Sequence, residues 1–79
     1  MGFHKRYITD DAVLSIYRNS GCQGVINWYA SGADAIITSG KLASEVNDLM
    51  KILVHDKKKG WNRISKVIAS ASNQKAQES

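Results

Sequence analysis

The strongest constraint on what this chain can fold into is the spacing of Leu42, Val46, Leu49, Met50 and Leu53. These positions follow i, i+4, i+7, i+8, i+11, which draws one apolar stripe down the side of a helix. Glu45, Asp48 and Lys51 fall off that stripe and belong to solvent. Thr38-Ser39-Gly40 opens the helix and Lys57-Lys58-Lys59-Gly60 stops it. Ile52 and Val54 widen the apolar surface at its far end, which implies burial on two sides or contact with a second chain. Beyond the stop, Trp61, Ile64, Ile68 and Ala71 repeat at i, i+3, i+7, i+10 with Val67 beside them, a second amphipathic helix. Two such helices joined by a short break predict an antiparallel hairpin.

The first half of the chain reads as shorter helices. Thr9-Asp10-Asp11 offers a capping hydroxyl followed by acids in the first turn, and Ala12, Val13, Ile16 and Tyr17 share a face up to Asn19. Asn19-Ser20-Gly21 closes that helix, glycine supplying the left-handed residue that ends many helices. Cys22, Val25, Ile26 and Tyr29 then repeat at helical spacing over Gln23 to Ser31, and Ser31-Gly32-Ala33-Asp34 breaks the pattern. Ala35-Ile36-Ile37-Thr38 has the length and β-branching of a strand, but a strand needs a partner, and only Tyr7-Ile8-Thr9 offers one. The expectation is an all-α fold, a small bundle of about four helices with the C-terminal antiparallel hairpin at its centre. An α+β arrangement is the alternative if residues 35–38 pair.

Size and composition bound the rest. The 79 residues suffice for one core, expected over residues 1–72 with a polar tail at 73–79. A domain this small buries roughly 60% of the surface of its unfolded chain, so association between copies is expected to help it. A hydrophobic content of 43% argues against disorder, and no run approaches the ~20 apolar residues of a membrane span. Met1-Gly2-Phe3-His4-Lys5-Arg6 leads into Thr9-Asp10-Asp11 rather than into an apolar core, so no secretory leader is expected there. The single cysteine cannot form an internal disulfide, which fits a reducing, cytoplasmic setting.

The formal net charge of +4 is unevenly placed. Lys5-Arg6 and the stretch Lys57 to Lys66 carry the excess, whereas residues 7–56 hold only Arg18, Lys41 and Lys51 against Asp10, Asp11, Asp34, Glu45, Asp48 and Asp56. Cations at the start of a helix work against its dipole, so Lys57, Lys58 and Lys59 before Trp61 invite an anionic partner. Arg63 and Lys66, on the face opposite Ile64 and Ile68, extend the basic strip, with Asn62 as a hydrogen-bonding member and Lys5 and Arg6 as a second contact. Lysines that follow the preceding helix also favour that helix's dipole, a purely structural reason for the same run. Trp61 can stack on a base, although its spacing with Ile64 and Ile68 equally makes it a core or interface anchor. Trp28 falls off the Val25–Ile26–Tyr29 face, so it is either a residue of a core wrapped on two sides, an oligomer contact or, with Tyr29, a candidate contact aromatic of a binding surface.

Gly21-Cys22-Gln23-Gly24, between two expected helices, has the G-x-x-G spacing of the loop with which KH domains clamp a nucleic-acid backbone. The order around it is similar too: an extended Arg6 to Thr9, helix, G-x-x-G, helix, an extended Ala35 to Thr38, then the long helix. The resemblance implies backbone contact at that loop. The chain departs from the pattern in having no basic residue at Cys22 or Gln23, in being about one turn short before Ser31-Gly32-Ala33, and in its additional last helix. A helix cap and a tight turn account for both glycines as well.

Little in the chain suggests catalysis. His4 and His55 are distant in sequence, Cys22 has no neighbouring base, and a Cys22–His55 pair lacks an orienting third group. One cysteine and two histidines fall short of a zinc site, and Asp10 and Asp11 diverge on a helix. A non-enzymatic protein without metal or cofactor is expected. Two functions compete: a binder of a phosphate-bearing partner (DNA, RNA or a nucleotide), or a small regulatory or inhibitory protein docking on another protein through Trp61, Trp28 and Tyr29. An inhibitor of this size would suit a virus or a mobile element.

Overall fold

The computed structural model describes residues 5–31 and 35–78. Strand β1 (Lys5–Thr9) leads into helix α1 (Asp10–Ala30), strand β2 (Ala35–Ser39), helix α2 (Lys41–His55) and helix α3 (Lys57–Glu78). The strands pair in parallel, Tyr7 opposite Ile37 and Ile8 opposite Thr38. Parallel neighbours need a crossover connection, and α1 supplies it, making a βαβ unit followed by two further helices.

This arrangement corrects the four-helix, all-α expectation. The two short helices foreseen at the start run together as α1, with the break between them at Gly21, whose φ 72° and ψ −172° are non-helical. What overturns the all-α bundle is the strand pair. Helical structure begins again directly after Gly21, and Cys22, Val25, Ile26 and Tyr29 on that second part are buried in the core. The β-branched segment after α1 is a strand because Tyr7-Ile8-Thr9, on the other side of that helix, is brought alongside it. The foreseen break at 32–34 lies outside the described residues, as do the leader and His4 positions at 1–4.

Alternation along β1 turns Ile8 inward, where it is fully buried, and leaves Tyr7 and Ile37 exposed on the opposite face. Ile8 joins Val13, Leu14, Val25, Val46, Ile64 and Ile68 in a single cluster, so one face of the sheet and all three helices share one core. The expected stripe of α2 is present: Leu42 and Val46 are buried, and Leu49, Met50 and Leu53 are packed against the same cluster.

Only Asp56 separates α2 from α3. Its backbone N–H donates to the Ile52 carbonyl and closes α2. Its carboxylate accepts from the Lys59 N–H at 3.1 Å and its carbonyl accepts from the Gly60 N–H at 2.9 Å, which opens α3. The lysines therefore form the first turn of α3. Gly60 is buried against Leu53, and a Cβ there would fall on the Leu53 backbone. At the other end of the pair, Leu42 and Glu45 of α2 share a crevice with Val67, Ala71 and Gln74 of α3. The two helices thus run antiparallel.

The contact at Gly60 gives a direct test. Gly60→Ala is expected to destabilise the fold by about 1–3 kcal/mol by overpacking, despite alanine's better helix propensity. Urea denaturation followed by circular dichroism reads the change; an unaltered or higher midpoint would mean that the helices are not in backbone contact there.

Candidate functional site

Thr9 ends β1 and caps α1, its Oγ1 accepting from the Ala12 N–H at 3.1 Å. That geometry sets Asp10 at the carboxyl end of the sheet, beside the start of α2. Gly40 precedes α2 with φ 113° and has no side chain to cap it. Asp10 takes over that role: its Oδ1 accepts from the Ala43 N–H at 2.7 Å. A Cβ on Gly40 would collide with the Asp10 carboxylate, so the glycine is required both by its backbone angle and by this approach. On the other side of the same residue, the Tyr29 hydroxyl donates to the Ala43 carbonyl at 3.2 Å. Burial first, and the Asp10 charge second, push the Tyr29 phenol up to about 12, with Arg6 pulling the other way.

Next to this junction lies a crevice of about 500 Å³ lined by Asp10, Lys41, Leu42 and Glu45 on one side and Lys66, Val67, Ser70, Ala71 and Gln74 on the other. It sits where open parallel sheets commonly place their clefts, outside the carboxyl ends of the strands. Two ammonium groups face two carboxylates in it, and Asp10 is already engaged with α2, so the crevice does not concentrate charge of one sign. Sequence reasoning missed it. Asp10 reads from the sequence only as a first-turn acid of α1, and its place at the mouth of a cleft follows only once β1 and β2 are paired.

The basic strip gathers elsewhere, at the α2–α3 corner. Lys57, Lys58, Lys59, Arg63 and Lys66 are all exposed. Lys58, Lys59, Asn62 and Arg63 line a shallow hollow with Asp56, whose carboxylate is the one acid among its lining residues. Lys57, Lys58, Trp61 and Asn62 line a second hollow beside it. Helical rotation places Lys59, Arg63, Lys66, Ser70 and Gln74 within an arc of about 80°, so one polar flank of α3 leads from the corner to the crevice. Lys66 is the member common to the strip and the crevice.

Of the other sequence candidates, only Trp61 lines either hollow. Arg6 is half-buried, its guanidinium 5.2 Å from the Trp28 ring centroid and its Nη1 donating to Ser31 Oγ at 3.2 Å. Its Nη2 is buried without a hydrogen-bond partner among the described residues. The Lys5 side chain lies outside the described residues. Trp28 packs edge-on against Tyr29, with ring centroids 5.6 Å apart, and Tyr29 is buried. Trp61 differs from both: 37% of it is exposed. In the G-x-x-G segment Gly21 is the non-helical break, and Cys22, Gln23 and Gly24 belong to the helical part that follows it. Cys22 is buried, with its thiol pushed up by desolvation, and Gly24 lies so close to the Ser20 side chain that a Cβ would collide with it. His55 is exposed at the end of α2, whereas Cys22 belongs to the core cluster.

No family model matches the chain, and neither a curated protein nor a solved structure matches it. None of the described helices is long and apolar enough to cross a membrane.

The Tyr29 junction predicts a pH dependence. An unfolded tyrosine titrates near 10 and the folded one at about 12, so the folded state holds the extra proton between these values. Stability is therefore full below pH ~10 and falls as pH rises toward ~12. Thermal melts at pH 9, 10 and 11 should show a steeper loss for the wild-type chain than for Tyr29→Phe; parallel slopes would mean that the phenol is not held at this junction.

Proposed function

We propose that this is a non-enzymatic binding protein that engages a phosphate-bearing ligand (DNA, RNA or a nucleotide) through the basic corner at the start of α3. The observation that carries the reading is the grouping of Lys57, Lys58, Lys59 and Arg63, all exposed, about two hollows in which Asp56 is the one acid among the lining residues. The first turn of α3 contains no acidic residue, so three lysines stand where a helix disfavours positive charge. Their position past the end of α2 repays part of that cost, but only Asp56 separates the two helices and the lysines are themselves α3 residues. Arg63 and Lys66 continue the cationic flank along α3, over about 10 Å from Lys59 to Lys66.

The competing reading, docking on another protein through three aromatic anchors, has less support. Tyr29 and Trp28 are engaged with Ala43 and Arg6, which leaves Trp61 as the one exposed ring of the three.

Replacing Lys57, Lys58 and Lys59 together by glutamine tests the proposal. Binding of labelled oligonucleotides, followed by anisotropy from low to near-physiological salt, is expected to weaken with a slope that each lost phosphate contact reduces by about 0.7–0.9. The variant should fold at least as stably as the wild type, since it removes charge that opposes the α3 dipole. Undiminished binding in a folded triple variant, or no binding of any anionic ligand by the wild type, would overturn the proposal.

A further inference from the structure

We infer that the ligand unit at this corner is an unpaired nucleotide, its base stacked against Trp61 and its phosphate held in the adjoining cationic hollow. The inference rests on the phosphate-binding reading and deepens it, because the corner holds two hollows of different character side by side. The first, of about 360 Å³, is lined by Lys57, Lys58, Trp61 and Asn62. Lys57 and Lys58 stand four and three positions before Trp61, so helical geometry sets both next to the indole. Their aliphatic stems and the indole make apolar walls while the ammonium groups reach water. The second, of about 370 Å³, is lined by Asp56, Lys58, Lys59, Asn62 and Arg63. Here the cations have only one carboxylate among them, and that carboxylate already accepts the Lys59 N–H.

Lys58 and Asn62 line both hollows, so an occupant of one touches the wall of the other. A ligand matched to this pair has a flat apolar ring and an anionic group in adjacent positions. A nucleotide has that composition, and Asn62 lies between the two with an amide able to donate to and accept from a base edge. The base must be unpaired. In a double helix the base faces are stacked on their neighbours and only groove edges are open, whereas single strands present their faces to aromatic side chains. Trp61 is suited to that contact because the core of α3 is completed by Ile64 and Ile68, both fully buried, and leaves its ring partly free.

The test compares three labelled probes of equal length: a single-stranded oligonucleotide, the same sequence as a duplex, and a base-free (abasic) phosphodiester. Anisotropy is expected to show the wild-type chain binding the single strand at least tenfold more tightly than the abasic probe. Trp61→Ala should weaken single-strand binding by roughly 5- to 150-fold, the range for losing one stacked base, and leave the abasic probe unaffected. Trp61→Phe keeps a ring and should restore most of the affinity, which separates lost stacking from a disturbed fold. It should also abolish the ligand-induced quenching of tryptophan emission, since Trp28 is half-buried against Arg6 and Tyr29 and lines neither hollow. Equal affinity for the abasic probe, or tighter binding of the duplex, would overturn the stacking inference while leaving phosphate binding in place. Failure of all three probes would overturn both.

Discussion

The rest of the structure depends on the grip on Ala43. Its N–H is held by the Asp10 carboxylate at 2.7 Å and its carbonyl by the Tyr29 hydroxyl at 3.2 Å. Asp10 follows directly from β1, Tyr29 lies near the end of α1, and Ala43 lies in the first turn of α2. These two bonds therefore fasten both ends of the crossover helix to the start of the hairpin. A carboxylate at a helix start also meets the positive end of the dipole, so this bond does for α2 what a capping serine would do, from a different element. Gly40 makes this geometry accessible by leaving room for Asp10 and by adopting a positive φ.

From that anchor α2 and α3 run as an antiparallel hairpin packed on the same core as the sheet. Val46, Ile64 and Ile68 hold α2 and α3 to the shared core, and Gly60 lets them touch near the turn. A single residue, Asp56, both ends one helix and begins the next. So short a connection leaves the lysines no place in a loop, and they are presented instead as the first turn of a rigid helix. A cationic group fixed on a helix loses less freedom on binding than one on a mobile loop, which favours the corner as a place for recognition.

The two polar regions of the molecule differ in electrostatics more than in shape. The crevice beside Asp10 is larger, yet Lys41 and Lys66 face Asp10 and Glu45 there, and its charge is balanced. The corner is shallower and more open, but its cations outnumber its acid and an aromatic face adjoins them. For an anionic ligand, unbalanced charge and a stacking surface matter more than depth, because phosphate contacts and base stacking both work at an open surface. The flank of α3 from Lys59 through Arg63 to Lys66 joins the two regions.

Much of this was written locally. The stripe Leu42–Leu53, the repeat Ile64–Ile68, the Thr9 cap and the special backbone at Gly21 depend on residues within a few positions of one another, and the sequence by itself determined them. It also determined the clustering of Lys57 to Lys66, since neighbours on a helix are neighbours in the chain. What only the tertiary structure decided involves partners on opposite sides of α1 or on different helices. Ala35–Ser39 is a strand because Lys5–Thr9 lies beside it, and Asp10 lines a crevice because α2 and α3 close over the sheet edge. Tyr29 and Trp28 turn inward because Ala43 and Arg6 meet them there, whereas Trp61 keeps an open face because Ile64 and Ile68 fill the core before it can. Local periodicity says which residues share a face, but which face is covered depends on elements that the chain brings together only on folding.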